Sequence, residues 1–131
     1  IFEAEALCQF DIEDINDMKE AARKLMDSGP QSVVVKGGHL PGNAVDLFYN
    51  GADFLEIQKQ RISTTNTHGS GCTHSAALAT LLAKGWGIFD AVKMANHIVR
   101  VCIENSLELG KGNGPVKQLA IPPNIVESPS D

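Results

Sequence analysis

Residues 66–72, Asn-Thr-His-Gly-Ser-Gly-Cys, place two glycines around a serine and end on a cysteine where a helix is expected to open. Glycine accepts positive φ and close backbone approach, and the first turn of a helix carries unpaired N–H groups whose dipole favours negative charge. A phosphate would fit such a loop. The same field would favour a thiolate at Cys72, so one short segment could hold a transferring phosphoryl group and present a proton acceptor.

Each of these residues also has a plainer reading. Gly69-Ser70-Gly71 alone can serve only a turn, and a free cysteine is most often a small buried apolar residue. No Gly-Lys-Ser/Thr follows at Walker spacing. A polar lead-in over residues 63–68, and Lys36 at the end of an apolar run, add donors and positive charge to the phosphate reading. A cysteine-histidine hydrolase is the rival chemistry, with His68 or His74 as base, although neither has an acid nearby in sequence to orient it. Lys36 is the single charge in its Val-rich run, where a lysine often just reaches water. After it, Gly37-Gly38-His39 could form a mobile loop that closes over a ligand with His39 near the opening. Glu3 and Glu5 could touch a metal, but a solvated helix face accounts for them equally well, and His97 is expected to be structural or solvent-facing.

The elements that must position these groups follow from periodicity. Residues 2–8 are helix formers, and Asp11 and Asp14 can cap the helix that follows. In that helix Ile15, Met18, Ala22, Leu25 and Met26 recur at intervals of three and four until Gly29-Pro30 stops the pattern. Residues 32–36 are β-branched without alternation, which predicts a central parallel strand covered on both faces. Residues 45–49 and 54–59 read as strands of a hairpin turning through Asn50-Gly51. From Ser70 or Gly71 to Lys84 the chain is apolar around most of the helix circumference, so an interior helix beside the sheet is expected. A last long helix carries Ile88, Ala91, Val92, Ala95, Ile98, Val99, Cys102 and Ser106 on one stripe, broken by Gly110 and Gly112. Pro122-Pro123 and Ser128-Pro129-Ser130 mark an extended or disordered end. This order predicts an α/β layer structure in which Lys36 and the 66–72 loop flank a phosphorylated ligand at the strand ends.

At 131 residues the chain can bury one core, and 43% hydrophobic with 21% charged residues is ordinary for a soluble domain. A net charge of −5 without a basic run argues against nucleic acid as a partner. No apolar segment nears the roughly 18–20 residues that span a bilayer, and a signal-peptide pattern is lacking, so no membrane partner and a cytoplasmic location are expected. Cys8, Cys72 and Cys102 are widely spaced without a CxxC pair, which fits reduced thiols. The opening Ile-Phe-Glu-Ala-Glu-Ala-Leu reads like the middle of a fold, so a fragment or a cleaved piece is expected.

Three segments in order carry a family resemblance: Val-Lys-Gly-Gly-His-Leu at 35–40, Asn-Thr-His-Gly-Ser-Gly-Cys-Thr at 66–73 and Gly-Lys-Gly-Asn-Gly-Pro-Val at 110–116. The chain resembles the ribokinase superfamily, specifically the hydroxymethylpyrimidine and phosphomethylpyrimidine kinases of thiamine biosynthesis. This implies that residues 1–117 are the nucleotide-binding and catalytic C-terminal portion of a ribokinase-like α/β/α sandwich, with a mostly parallel sheet, a β-hairpin and flanking helices. The N-terminal half of the fold would then be absent, and residues 118–131 would be an extended or disordered tail. The implied activity is ATP-dependent phosphorylation of a hydroxymethyl aminopyrimidine and then of its monophosphate, with magnesium. Cys72 would be the catalytic base, where most sugar kinases of the superfamily have aspartate. Lys36, Thr67, Gly69, Ser70 and Gly71 would bind the nucleotide phosphates, His39 would lie near the substrate, and Glu3 would help organise magnesium. Ser70 departs from the usual threonine, and the asparagine of the Asn-x-x-Glu element would fall just before Ile1. Pyridoxal kinase is the enzymatic alternative, and a non-catalytic nucleotide-binding module the alternative from another class. Partners are expected to be small molecules, with self-association or pairing with the missing half across exposed sheet edges.

Overall fold

Unbroken helix formers give α1 (Phe2–Cys8), which ends where Gln9 takes a left-handed φ of 60°. The computed structural model describes residues 1–38, 40, 42 and 44–125, so His39 and residues 126–131 of the expected tail lie outside the described residues. Asp14 opens α2 (Ile15–Met26): its carboxylate accepts from Asn16 N–H at 2.6 Å and Asp17 N–H at 3.0 Å, while Asp17 accepts from Asp14 N–H at 3.2 Å. That reciprocal pair is a capping box, and it selects Asp14 over Asp11 as the cap. Met18, Ala21 and Ala22 form the buried stripe of α2.

Three strands follow, β1 (Val33–Gly37), β2 (Ala44–Tyr49) and β3 (Phe54–Lys59), in the order β1-β2-β3. Both pairings are antiparallel, with Val35 opposite Leu47 and Phe48 opposite Leu55. The expected hairpin is present, its turn closed by Asn50 Oδ1 accepting from the N–H groups of Ala52 and Asp53 at 2.9 and 2.7 Å. The expected parallel setting of β1 is not found among the described residues, where its pairing is with β2 alone. An apolar run without alternation reports burial on both faces; that is usual for parallel strands but does not by itself fix strand direction.

Contacts divide the chain into two compact units, Ile1–Arg61 and a second from Ile62 onward. In the first, Ile1, Ala4, Cys8, Ile12, Met18, Ala21 and Ala22 pack with Val35 and Leu47. Successive strand side chains alternate between faces, so Lys36 and Asp46, opposite each other, share the sheet face that Val35 and Leu47 do not use. In the second unit α3 (Ser70–Ala83) pairs with α4 (Ile88–Glu104) around Leu81, Ala91, Ala95, Ile98, Cys102 and Val116. The α4 stripe follows the predicted periodicity from Ala91 to Cys102, but Ile88 is exposed and the helix ends at Glu104, before Ser106; His97 is exposed. α3 is not the interior helix its composition predicts: Thr73, His74 and Leu81 are its buried residues, and Ala76, Ala79, Leu82 and Ala83 are exposed. Of the expected tail, residues 118–120 form a single 3-10 turn, and Ile121 and Ile125 pack against the second core.

The capping box sets a pH-dependent contribution. Hydrogen bonds from the N–H groups of Asp17 and Asn16 hold the Asp14 carboxyl below its usual pKa. A carboxyl lowered on folding stabilises above its unfolded-state pKa, about 3.9, and that contribution fades as pH falls through the folded-state value. Asp14→Ala is therefore expected to lower the thermal midpoint at neutral pH, with the gap to wild type narrowing on acidification. Midpoints measured across the acid range check this, and a gap that stays constant with pH would refute it.

Candidate active site

The glycine loop is set by a backbone brace from the far end of its own unit. His68 N–H donates to Gly114 O and His68 O accepts from Val116 N–H, both at 3.1 Å, forming an isolated parallel bridge to Pro115. Asn66 Oδ1 adds a bond from Gly114 N–H at 3.1 Å, and Leu107 N–H donates to Pro115 O at 3.1 Å. Gly114 is buried, and a Cβ there would lie 2.3 Å from both Asn66 Oδ1 and Leu107 O, so the position excludes any side chain.

Beyond the brace the chain must reverse into α3, and Gly69 does so at φ 85° as the N-cap. Its carbonyl accepts from Thr73 N–H at 2.9 Å and from Thr73 Oγ1 at 2.8 Å. Ser70 N–H donates to Thr67 O at 3.1 Å, so this amide is engaged within the turn. The amides of Gly69, Gly71 and Cys72 donate to no acceptor among the described residues. Three open donors thus gather at the mouth of a fourteen-residue helix, next to the exposed side chain of Cys72. Such a group can stabilise the spread negative charge of a phosphoryl group. Thr67, Gly69, Ser70, Gly71 and Cys72 are brought together here as one continuous turn.

The rival pairing of Cys72 with His74 is not assembled, because residues two apart on a helix do not face each other: His74 is 4% exposed while Cys72 is open to solvent. Upstream of the loop, Ile62, Ser63, Thr64, Thr65 and Asn66 line one wall of a cleft of about 730 Å³, with Glu108, Leu109, Gly110 and Gly112 on the other. The cleft therefore ends where the brace begins.

In the first unit Lys36 is half-buried, and its ammonium forms no ion pair among the described residues. Burial pushes its pKa down, Asp46 and Glu3 oppose that shift by their negative charge, and Lys59 reinforces it. Asp46 is fully buried; it accepts from Gly37 N–H at 3.3 Å and from Lys59 Nζ at 2.5 Å. Asp46 escaped the sequence reading, although it is the single charge within the β2 segment Ala-Val-Asp-Leu-Phe-Tyr. Arg61 also went unnoticed; its guanidinium donates to the carbonyls of Gly38, Leu40 and Gly42. Glu3 sits exposed in the first turn of α1, and no cluster of three or more His, Cys, Asp or Glu forms among the described residues. A lone carboxylate is a donor set that suits magnesium held mainly by phosphate oxygens and water. Among the described residues no helix is long and apolar enough to cross a membrane.

A family profile described as phosphomethylpyrimidine kinase matches residues 1–117. The chain belongs to this family. It is 41% identical over 128 residues to the hydroxymethylpyrimidine/phosphomethylpyrimidine kinase of Bacillus subtilis, covering 96% of this chain and 47% of that protein. It is 42% identical over 118 residues to the thiamine biosynthesis bifunctional protein ThiED of Geobacter sulfurreducens, covering 89% of this chain and 24% of that one. Among solved structures, an ADP complex of Bacillus subtilis pyridoxal kinase superposes with a TM-score of 0.86 at 38% identity, over 91% of this chain and 47% of that one. The ribokinase-like α/β fold follows from these likenesses, and the chain spans about half the length of the single-function relatives it matches.

The brace makes a direct prediction within this family member. Gly114→Ala is expected to destabilise by about 1–3 kcal/mol, the usual cost of forcing atoms into a packed site. At Gly112 a Cβ would meet nothing within 4 Å, so Gly112→Ala is the matched control. Urea unfolding of both variants decides, and equal stabilities would remove Gly114 from the brace.

Proposed function

We propose that the full-length protein transfers the γ-phosphoryl group of ATP to the hydroxymethyl group of an aminopyrimidine, and then phosphorylates the resulting monophosphate, as a step of thiamine biosynthesis. Its described residues would contribute the C-terminal, catalytic part of that enzyme. The observation that carries this reading is the set of three open amides at the start of α3, beside the exposed Cys72, in a chain of the phosphomethylpyrimidine kinase family.

In this reading the substrate hydroxyl oxygen forms a bond to the γ-phosphorus, the bridging P–O bond to ADP breaks, and the hydroxyl proton passes to the Cys72 sulfur. The amides of Gly69, Gly71 and Cys72 take up charge on the phosphoryl oxygens, a task of positioning and electrostatics. The polar cleft of residues 62–66 with Glu108, Leu109, Gly110 and Gly112 receives the rest of the nucleotide; Lys36 keeps only the phosphate-binding role that the family resemblance implies. Magnesium, when bound, neutralises phosphate oxygens, with Glu3 as the carboxylate that helps hold it.

A second reading is supported by the close superposition on pyridoxal kinase, whose substrate also carries a hydroxymethyl group on an aromatic nitrogen ring. Turnover of the aminopyrimidine alcohol and of pyridoxal by full-length protein, followed as ADP release, separates the two. Cys72→Ala is expected to lower kcat by about 10²–10⁴, the range for loss of a general base, with KM for ATP little changed. Unchanged turnover would exclude Cys72 as the base. ADP binding without phosphoryl transfer to either alcohol would instead leave a non-catalytic nucleotide-binding module.

A further inference from the structure

The chain that follows the brace returns to the glycine loop through one side chain. Lys117 N–H donates to Cys102 O at 3.0 Å, and Ala120 N–H to Lys117 O at 3.1 Å, which fixes the 3-10 turn Gln118–Ala120 against α4. From that turn Gln118 Nε2 donates to Thr73 Oγ1 at 3.2 Å. Thr73 Oγ1 in turn donates to Gly69 O at 2.8 Å, so its hydroxyl proton is committed and the bond from residue 118 must be one that Thr73 accepts. Gln118 Nε2 also sits directly behind the turn, 3.7 Å from where a Cβ on Gly69 would be. A polar relay, Gln118 to Thr73 to Gly69, therefore reaches the residue whose φ of 85° starts the helix and leaves the neighbouring amides open.

We propose that Gln118 is a positioning residue for the phosphate loop, acting through Thr73 to hold the Gly69 carbonyl inward and the amides of Gly69, Gly71 and Cys72 available to a phosphoryl group. This rests on the kinase reading for its consequence, and on geometry alone for the relay. The direction of the hydrogen bonds distinguishes it from simple packing. Glutamate has the shape of glutamine but, ionised, offers no donor to Thr73. Serine at 73 keeps the hydroxyl, whereas valine keeps the shape and loses it.

The test uses full-length protein carrying Gln118→Glu, Thr73→Val, Thr73→Ser or the Gln118→Glu/Thr73→Val pair. Steady-state kinetics with ATP and the aminopyrimidine alcohol are combined with hydrogen exchange of the Ser70 and Thr73 amides. Gln118→Glu and Thr73→Val are each expected to lower kcat about tenfold, as for a small misplacement of catalytic groups, with KM for the alcohol unchanged. The double variant is expected to lose no more than either single one, because both break one relay. Thr73→Ser should retain wild-type kcat. Exchange of the Ser70 and Thr73 amides should be faster in Gln118→Glu than in wild type. A kcat for Gln118→Glu equal to wild type, or additive losses in the double variant, would overturn the proposal. A wild-type protein that transfers no phosphate would overturn the kinase reading alone. In that event faster exchange in Gln118→Glu supports the relay and unchanged exchange removes it.

Discussion

The second unit is organised around the way His68 is held. Both backbone groups of this residue are taken by residues 114 and 116, which leaves the chain no freedom to drift before it enters α3. α3 then begins two residues later, and the reversal it needs lies in the left-handed region that Gly69 occupies as the N-cap. That region costs a side-chain-bearing residue roughly 1 kcal/mol or more, which is why glycine stands there. Once the turn is made, Ser70 and Thr73 satisfy the inner groups, and the unused donors are those of the outer edge. The open amides of the loop are thus a remainder: the donors that neither brace nor helix consumes.

The brace itself depends on apolar packing some distance away. Val116 is 2% exposed and belongs to the cluster of Leu81, Ala91, Ala95, Ile98 and Cys102. Burying a residue of this kind stabilises by about 1.5–3 kcal/mol, which fixes the strand-like segment that His68 leans on. α4 therefore serves the loop through the chain that follows it. Its buried stripe seats Val116, its Cys102 carbonyl accepts from Lys117, and the 3-10 turn that carries Gln118 is placed as a consequence.

Much of this architecture was legible in the residues themselves. The α2 helix and the start of α4 followed from apolar periodicity and capping or glycine signals, because these are local properties of a helix, whereas α4 stops at Glu104, before the expected Ser106 and well short of Gly110. β3 and the Asn50-Gly51 hairpin were equally local. What escaped was decided by partners far away in the chain. The direction of β1 depends on which strand it meets, and Val33, Val34 and Val35 would suit either setting. α3 looked interior because alanine and leucine surround it, yet Ala76, Ala79 and Leu82 are exposed. Asp46 looked like an ordinary strand residue, since nothing local announces that Lys59, thirteen residues on, will meet it. Gln118 stood in a segment read as tail, and its bond to Thr73 spans forty-five residues.

The electrostatics of the first unit carry the same lesson into function. Two lysines, Lys36 and Lys59, share one face with a single buried carboxylate, and Lys59 takes the direct bond. Lys36 is left with a charge that burial disfavours and that Asp46 and Glu3 only partly support. A group in this state gains from any anion that reaches it, because the anion replaces the hydration that burial removed. Thermodynamic linkage makes the exchange mutual: whatever favours the protonated ammonium favours the anion, and the bound anion holds the proton in place. Full pairing with Asp46 would have removed that incentive. By giving its carboxylate to Lys59 and to Gly37 N–H, the sheet leaves the Lys36 ammonium without an ion pair among the described residues, the state in which the proposed contact with a phosphate would be favoured.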